Sequence, residues 1–203
     1  MSELEQNSYH HGNLRAELLA AAVEMLGQIG ADKLSMRAVS RQLGVSQSAP
    51  FRHFKDKNDL LTTLAIEGFH TLTHVQKQAK KGLKPANALI ATGVAYVEFA
   101  CEQPELFKLM FSSKIENREQ ENNTELCIAG ELAYAELHLC IQKGIDQGVF
   151  RQRPVEELAL AAWAMVHGLA YLAIEGVGRD VPPDANHASV QNSLEIFIGG
   201  ALQ

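Results

Sequence analysis

Apolar residues recur along this chain at spacings of three and four, the period of one helix face, and no alternating run marks a strand. Leu14, Leu18, Ala22, Met25 and Ile29 predict a first helix over residues 13–29 that stops near Gly30. Met36, Val39 and Leu43 predict a second, with Ser35 as its N-cap and Gly44 giving the backbone freedom that a tight C-terminus needs. A longer helix over 56–80 carries Leu60, Leu61, Leu64, Phe69 and Leu72. Further helices are expected over 85–101, with Pro85 in a first turn, and over 105–112, 124–147, 155–175 and 187–202. The charged segment 114–123 reads as a mobile loop or a frayed helix start, and GVGRDVPPDAN is a Gly- and Pro-punctuated turn before the last helix. The fold class is all-α.

Residues 34–54, LSMRAVSRQLGVSQSAPFRHF, have the layout of a helix-turn-helix. Ser46 is placed to cap a second short helix, and the apolar Val45 to plug the angle between the two. Gln47, Ser48, Pro50, Phe51 and Arg52 are then left as outward residues of a DNA-reading face. Pro50 has two readings: an apolar ring that meets a thymine methyl, or simply an irregular helix start.

This stretch resembles the DNA-binding region of TetR-family transcriptional regulators, through Gly44-Val45-Ser46, Phe51, His53-Phe54 and Lys57, and the likeness runs on into KDKNDLL at 55–61. Ser8 to Arg15, PELFKLMF at 104–111, and Trp163 with His167-Gly168 extend it; the last three look like the Trp-His-Gly subgroup of regulatory domains. Where many relatives carry tyrosine this chain has Phe51, so packing or stacking replaces a phenolic hydrogen bond. The resemblance implies an N-terminal three-helix DNA-binding domain, 1–55, and a larger helical ligand-binding and dimerisation domain, 56–203. It also implies a homodimer on double-stranded operator DNA, answering to a small-molecule effector.

The charge of −6 argues against general nucleic-acid binding, but its distribution reverses the inference. Residues 1–57 hold seven Lys/Arg and six Asp/Glu, a balance of +1, and the remainder stands at −7. Ser35, His53 and the cations Arg37, Arg52, Lys55 and Lys57 therefore join the DNA-contact set, Arg37 and Lys57 as phosphate contacts and Gln47 and Ser48 as base-edge contacts. Tyr9, His10 and His11 could add an arm on the backbone or form a disordered tail.

Cys101, Cys127 and Cys140 are odd in number without CxxC spacing, which fits a reducing cytoplasm and small core residues rather than redox sensors. The first twenty residues hold no apolar run of the signal-peptide kind. Residues 158–174 contain no Lys, Arg, Asp or Glu, yet acidic flanks and an interrupting His167-Gly168 favour a helix buried on most faces over a membrane span. With the stripe Val190, Leu194, Phe197, Ile198 and Ala201 it suggests a four-helix dimer seam.

GxGxxG, GxxxxGK, GxSxG and HExxH are all missing, and no catalytic residue, cofactor or metal is assigned. Glu67, His70 and His74, along one helix face, form the basis of a rival reading as a metal-binding or enzymatic bundle. Effector-pocket candidates are the aromatic and soft residues Tyr96, Phe99, Phe107, Met110, Phe111, Tyr134, His138, Trp163, His167 and Tyr171.

Overall fold

The computed structural model describes residues 14–113, 115, 124–176 and 186–202. Tyr9, His10 and His11, and nearly all of the charged segment and the Gly/Pro turn, lie outside the described residues. Among those described there are eight α-helices and no strand. These are α1 (Leu14–Lys33), α2 (Met36–Gln42), α3 (Lys57–Ala79), α4 (Pro85–Glu102), α5 (Pro104–Met110), α6 (Thr124–Asp146), α7 (Val155–Glu175) and α8 (Asn186–Phe197). The chain forms two compact units: residues 1–67 with 105–126, and residues 68–104 with 127–203.

In the first unit α1 buries Leu18, Ala21, Ala22 and Leu26. Ile29, expected on that face, is 37% exposed, because the backbone breaks one residue later: Gly30 adopts φ 73°, ψ 165°, and a last turn runs on to Lys33. Ser35 caps α2 as expected, its hydroxyl accepting from the Ala38 N–H at 3.2 Å. The other end of α2 is a Schellman closure. Gly44 sits at φ 66°, its N–H bonds the Arg41 carbonyl, and the Val45 N–H reaches the Ser40 carbonyl at 3.0 Å. Ile115, inside the otherwise charged segment 114–123, is buried.

The second short helix is not α-helical. The segment after Ser46 is a turn followed by a 3₁₀ turn, Pro50–Arg52. Pro50 has no N–H to return to the Ser46 carbonyl, so that acceptor is taken by the Ala49 N–H at 3.0 Å, and Arg52 and His53 continue the tighter i to i−3 pattern. The Ser46 hydroxyl faces that of Ser48 at 3.2 Å rather than capping.

The N-terminus of α3 is closed by two acids. Asp56 accepts from the Asp59 N–H at 2.9 Å, and Asp59 accepts from the Lys55 N–H at 2.7 Å. All five apolar residues expected along α3 are buried.

In the second unit α4 packs against α7 and α8. Gly93 permits the approach of α8, since a Cβ there would lie 2.7 Å from a Leu194 methyl. Val190, Leu194 and Ile198 are buried in the chain's own core, which corrects their expected place on a dimer seam. The opposite correction applies to α7. It is long and apolar enough to cross a membrane by length and composition, yet only 28% of its most apolar stretch is buried, and Leu160 and Leu172 are more than half exposed.

A polar group crosses this apolar interior. Lys80 Nζ lies 2.6 Å from Glu136 Oε2, donates to the Glu136 carbonyl at 3.0 Å and approaches Cys140 Sγ at 3.7 Å, while Lys77 is 3.6 Å from Glu136 Oε1. Glu136 keeps only 8% side-chain exposure, so the pair has lost most of its hydration and depends on this geometry. No disulfide joins Cys101, Cys127 and Cys140.

Gly44→Ala should cost about 1–2 kcal/mol, because a Cβ in the left-handed region meets the carbonyl that follows it. Gly27→Ala, inside α1 with open space around it, should instead stabilise by roughly 0.5–1 kcal/mol. Urea midpoints of both variants check the opposite signs. Glu136→Leu should destabilise by about 2–3 kcal/mol, below the ~3–5 of a fully enclosed pair since Lys80 retains some solvent, and the added change Lys80→Met should recover most of the loss.

Candidate DNA-reading face and regulatory core

Around the helix-turn-helix, Arg37, Ser46, Gln47, Ser48, Phe51, Arg52 and Lys55 are exposed, whereas Ser35, His53 and Lys57 are half-buried. Pro50 is buried, which rules out its ring as an outward contact and favours the reading as an irregular turn. The turn carries Phe51 outward instead, at 53% exposure.

Lys57 has a partner inside the unit. Its Nζ donates to the Asp32 carbonyl at 2.9 Å, tying the start of α3 to the last turn of α1. The expected phosphate contact must share this ammonium, which has further hydrogens to give. Phe54, the aromatic of the His-Phe pair, is a core anchor: it is 2% exposed and lies beneath the Arg15 guanidinium, 5.5 Å from its centroid. Arg15, Asp32, Asp56 and Asp59 were missed as positioning residues. The signal for the two later acids was present in the sequence, as carboxylates at the start of a helix.

In the second unit five of the ten effector candidates gather. The Tyr96 hydroxyl is 2.7 Å from His167 Nδ1, and the Trp163 indole N–H points to the same hydroxyl at 3.4 Å. The Trp163 ring is met edge-on by Tyr134, and His167 lies between Trp163 at 5.4 Å and Tyr171 at 5.0 Å. Burial pushes the Tyr96 phenol up and the His167 imidazole down from their ordinary values. Both shifts favour the uncharged forms, so the contact joins a neutral phenol to a neutral imidazole, with the direction of the hydrogen bond set by the His167 tautomer. Burial, and then the charge of Glu156, raises Tyr134 as well.

The other candidates do not join this group. Phe107, Met110 and Phe111 belong to the first unit, where the two phenylalanine rings meet at a tilt of 56° with centroids 5.0 Å apart. Phe99 is a fully packed core residue of α4, and His138 sits 3.7 Å from Glu156 near the surface. Periodicity identified these residues as apolar but could not say which core they enter. Glu67, His70 and His74 are each exposed, and among the described residues no three His, Cys, Asp or Glu side chains gather as a metal would require.

An open cleft of about 390 Å³ in the second unit is not lined by the aromatic group. Ala79, Ile90, Ala91, Val94 and Ala95 give it an apolar floor, and Asn87, Glu98, Gln191 and Glu195 line the rest. None of the ten sequence-derived candidates lines it. Its volume is within the range of small-molecule sites, and the last turn of α3 forms part of its wall.

Two family profiles match the chain: bacterial regulatory proteins of the tetR family over residues 18–64, and the tetracyclin repressor-like C-terminal domain over residues 89–197. A protein of unknown function from Rhodococcus sp. RHA1 is 32% identical, with a TM-score of 0.85 over 96% of this chain and 98% of that one. The TetR family transcriptional regulator PfmR from Thermus thermophilus is 22% identical, with a TM-score of 0.70 over 90% and 97%. A bacterial regulatory protein in the tetR family from Rhodococcus RHA1 is 20% identical, with a TM-score of 0.71 over 91% and 95%.

His167 gives a pH prediction. Its folded-state pKa lies below the unfolded value, so the stability it contributes is complete above the unfolded pKa and is lost as pH falls through the folded one. Wild-type melting temperature should fall between pH 7 and pH 5, and His167→Gln should flatten part of that slope.

Proposed function

The chain belongs to the TetR family of bacterial transcriptional regulators, and on that premise we propose that it is a cytoplasmic, homodimeric, ligand-responsive repressor of a pseudo-palindromic operator. The observation that carries this reading is the pairing of an exposed basic helix-turn-helix with a helix, α7, whose outer face is too apolar for one chain. Leu160, Ala161, Ala164, Gly168 and Leu172 are all exposed on α7, and Ile196 of α8 is 76% exposed. A second copy would cover such a surface, with small residues allowing close approach of the helices. The two DNA-reading segments would then fall in successive major grooves, about 34–36 Å apart.

Arg37, Arg52 and Lys55 supply the phosphate contacts in this reading, and Gln47 and Ser48 the base contacts. The effector enters the cleft beside α3, and the Tyr96–Trp163–His167 group forms a rigid wall behind it rather than the pocket itself. A ligand releases DNA only if it binds the DNA-incompetent state more tightly, and linkage makes DNA weaken the ligand by the same factor. Trp163, the single tryptophan, is the natural reporter.

Selection from a random DNA library should enrich an inverted repeat, and light scattering should give twice the 22.2 kDa chain mass. Arg37→Ala in both protomers should lower the salt slope of log K by about 1.8, roughly 0.9 for each phosphate no longer neutralised. Leu160→Glu with Leu172→Glu should abolish the dimer and with it operator binding. A dimer unaffected by that pair, or a library with no enriched sequence, contradicts the proposal.

A further inference from the structure

The 3₁₀ turn separates two neighbouring apolar side chains that the sequence pattern places outward together. Pro50, the apolar residue that the sequence offers to the DNA, is buried. Phe51 is 53% exposed, an aromatic residue about half open to water within a stretch whose other outward side chains include Gln47, Ser48, Arg52 and Lys55. The ring carries no hydroxyl, so it has no hydrogen bond to give a phosphate oxygen. A single apolar group amid polar and cationic ones gains most from an apolar counterpart on an otherwise polar, anionic surface. On the floor of the major groove that counterpart is the C5-methyl of thymine, the one apolar mark among the base edges.

We propose that Phe51 reads a thymine methyl in each half of the operator, so that sequence preference at that position is set by apolar contact rather than by hydrogen bonding. The inference rests on the operator-binding reading given above. Arg52 and Lys55, close in the chain and exposed, hold the flanking phosphates and bring the ring to the groove.

The test uses the full-length protein and the operator enriched from the random library. Each thymine is replaced in turn by uracil, which keeps every hydrogen bond and removes only the methyl. At one symmetric pair of positions wild-type affinity should fall, roughly 4-fold for one methyl and about 15-fold for both, the value of returning one methyl at each half-site to water. Phe51→Ala should bind the thymine operator more weakly and be indifferent to uracil at that pair, and Phe51→Leu should retain part of the discrimination. Melting curves of both variants should match wild type, because the ring is outside the core. An enriched operator on which every uracil is neutral for the wild type overturns the inference alone. So does a Phe51→Ala protein that is as sensitive to uracil as the wild type, which would place the ring on the sugar backbone. A library without any enriched sequence overturns both this inference and the reading beneath it.

Discussion

The helix α3 is fastened near both of its ends, and the local packing around each end depends on its fastening. Near the N-terminus Lys57 holds the Asp32 carbonyl, with Asp56 and Asp59 closing the first turn. Just past the C-terminus Lys80 is held by Glu136. The first tie lies wholly in one compact unit and the second wholly in the other. Between them run twenty-three residues of continuous helix, about 34 Å at 1.5 Å per residue, which cannot bend sharply without breaking i to i−4 bonds.

Local chemistry was the most legible part of this sequence. Ser35 as a cap and Gly44 as a left-handed terminator need only their nearest neighbours, and the burial of Leu60, Leu61, Leu64, Phe69 and Leu72 needs only a period. The effect of Pro50 is legible as an irregularity, but its extent is not. The segment takes the tighter i to i−3 pattern, which buries Pro50 and leaves Phe51 exposed. What periodicity cannot supply is the identity of the partner surface. The stripe of Val190, Leu194 and Ile198 and the apolar face of α7 look alike in the sequence, yet one is filled by α4 and the other is left open.

The aromatic residues make the same point for the site. Trp163 and His167 were legible together through the Trp-His-Gly resemblance and Tyr96 only as one of ten candidates, and sequence could not show that their polar atoms meet. A cluster with its hydrogen bonds already made is a poor receptor and a good wall, since a ligand would have to replace bonds of 2.7 Å geometry inside a desolvated setting. The cleft is built from residues with little character of their own, three alanines, an isoleucine and a valine among them. Nothing in such a composition announces a cavity; only the spacing of the helices creates it.

In the proposed reading the brevity of the turn at Pro50–Arg52 leaves base readout to Phe51 and to Gln47 and Ser48 just before the turn. A long recognition helix offers a side chain to the groove at every turn, each one a separate test of a base pair. Three residues in 3₁₀ geometry, rising about 2.0 Å apiece, offer very few. In the proposed operator-binding reading, the protein draws its selectivity from the demand for two half-sites at once and from sequences whose backbone takes the needed shape without strain. Its targets would then resemble one another in spacing and flexibility more than in their letters.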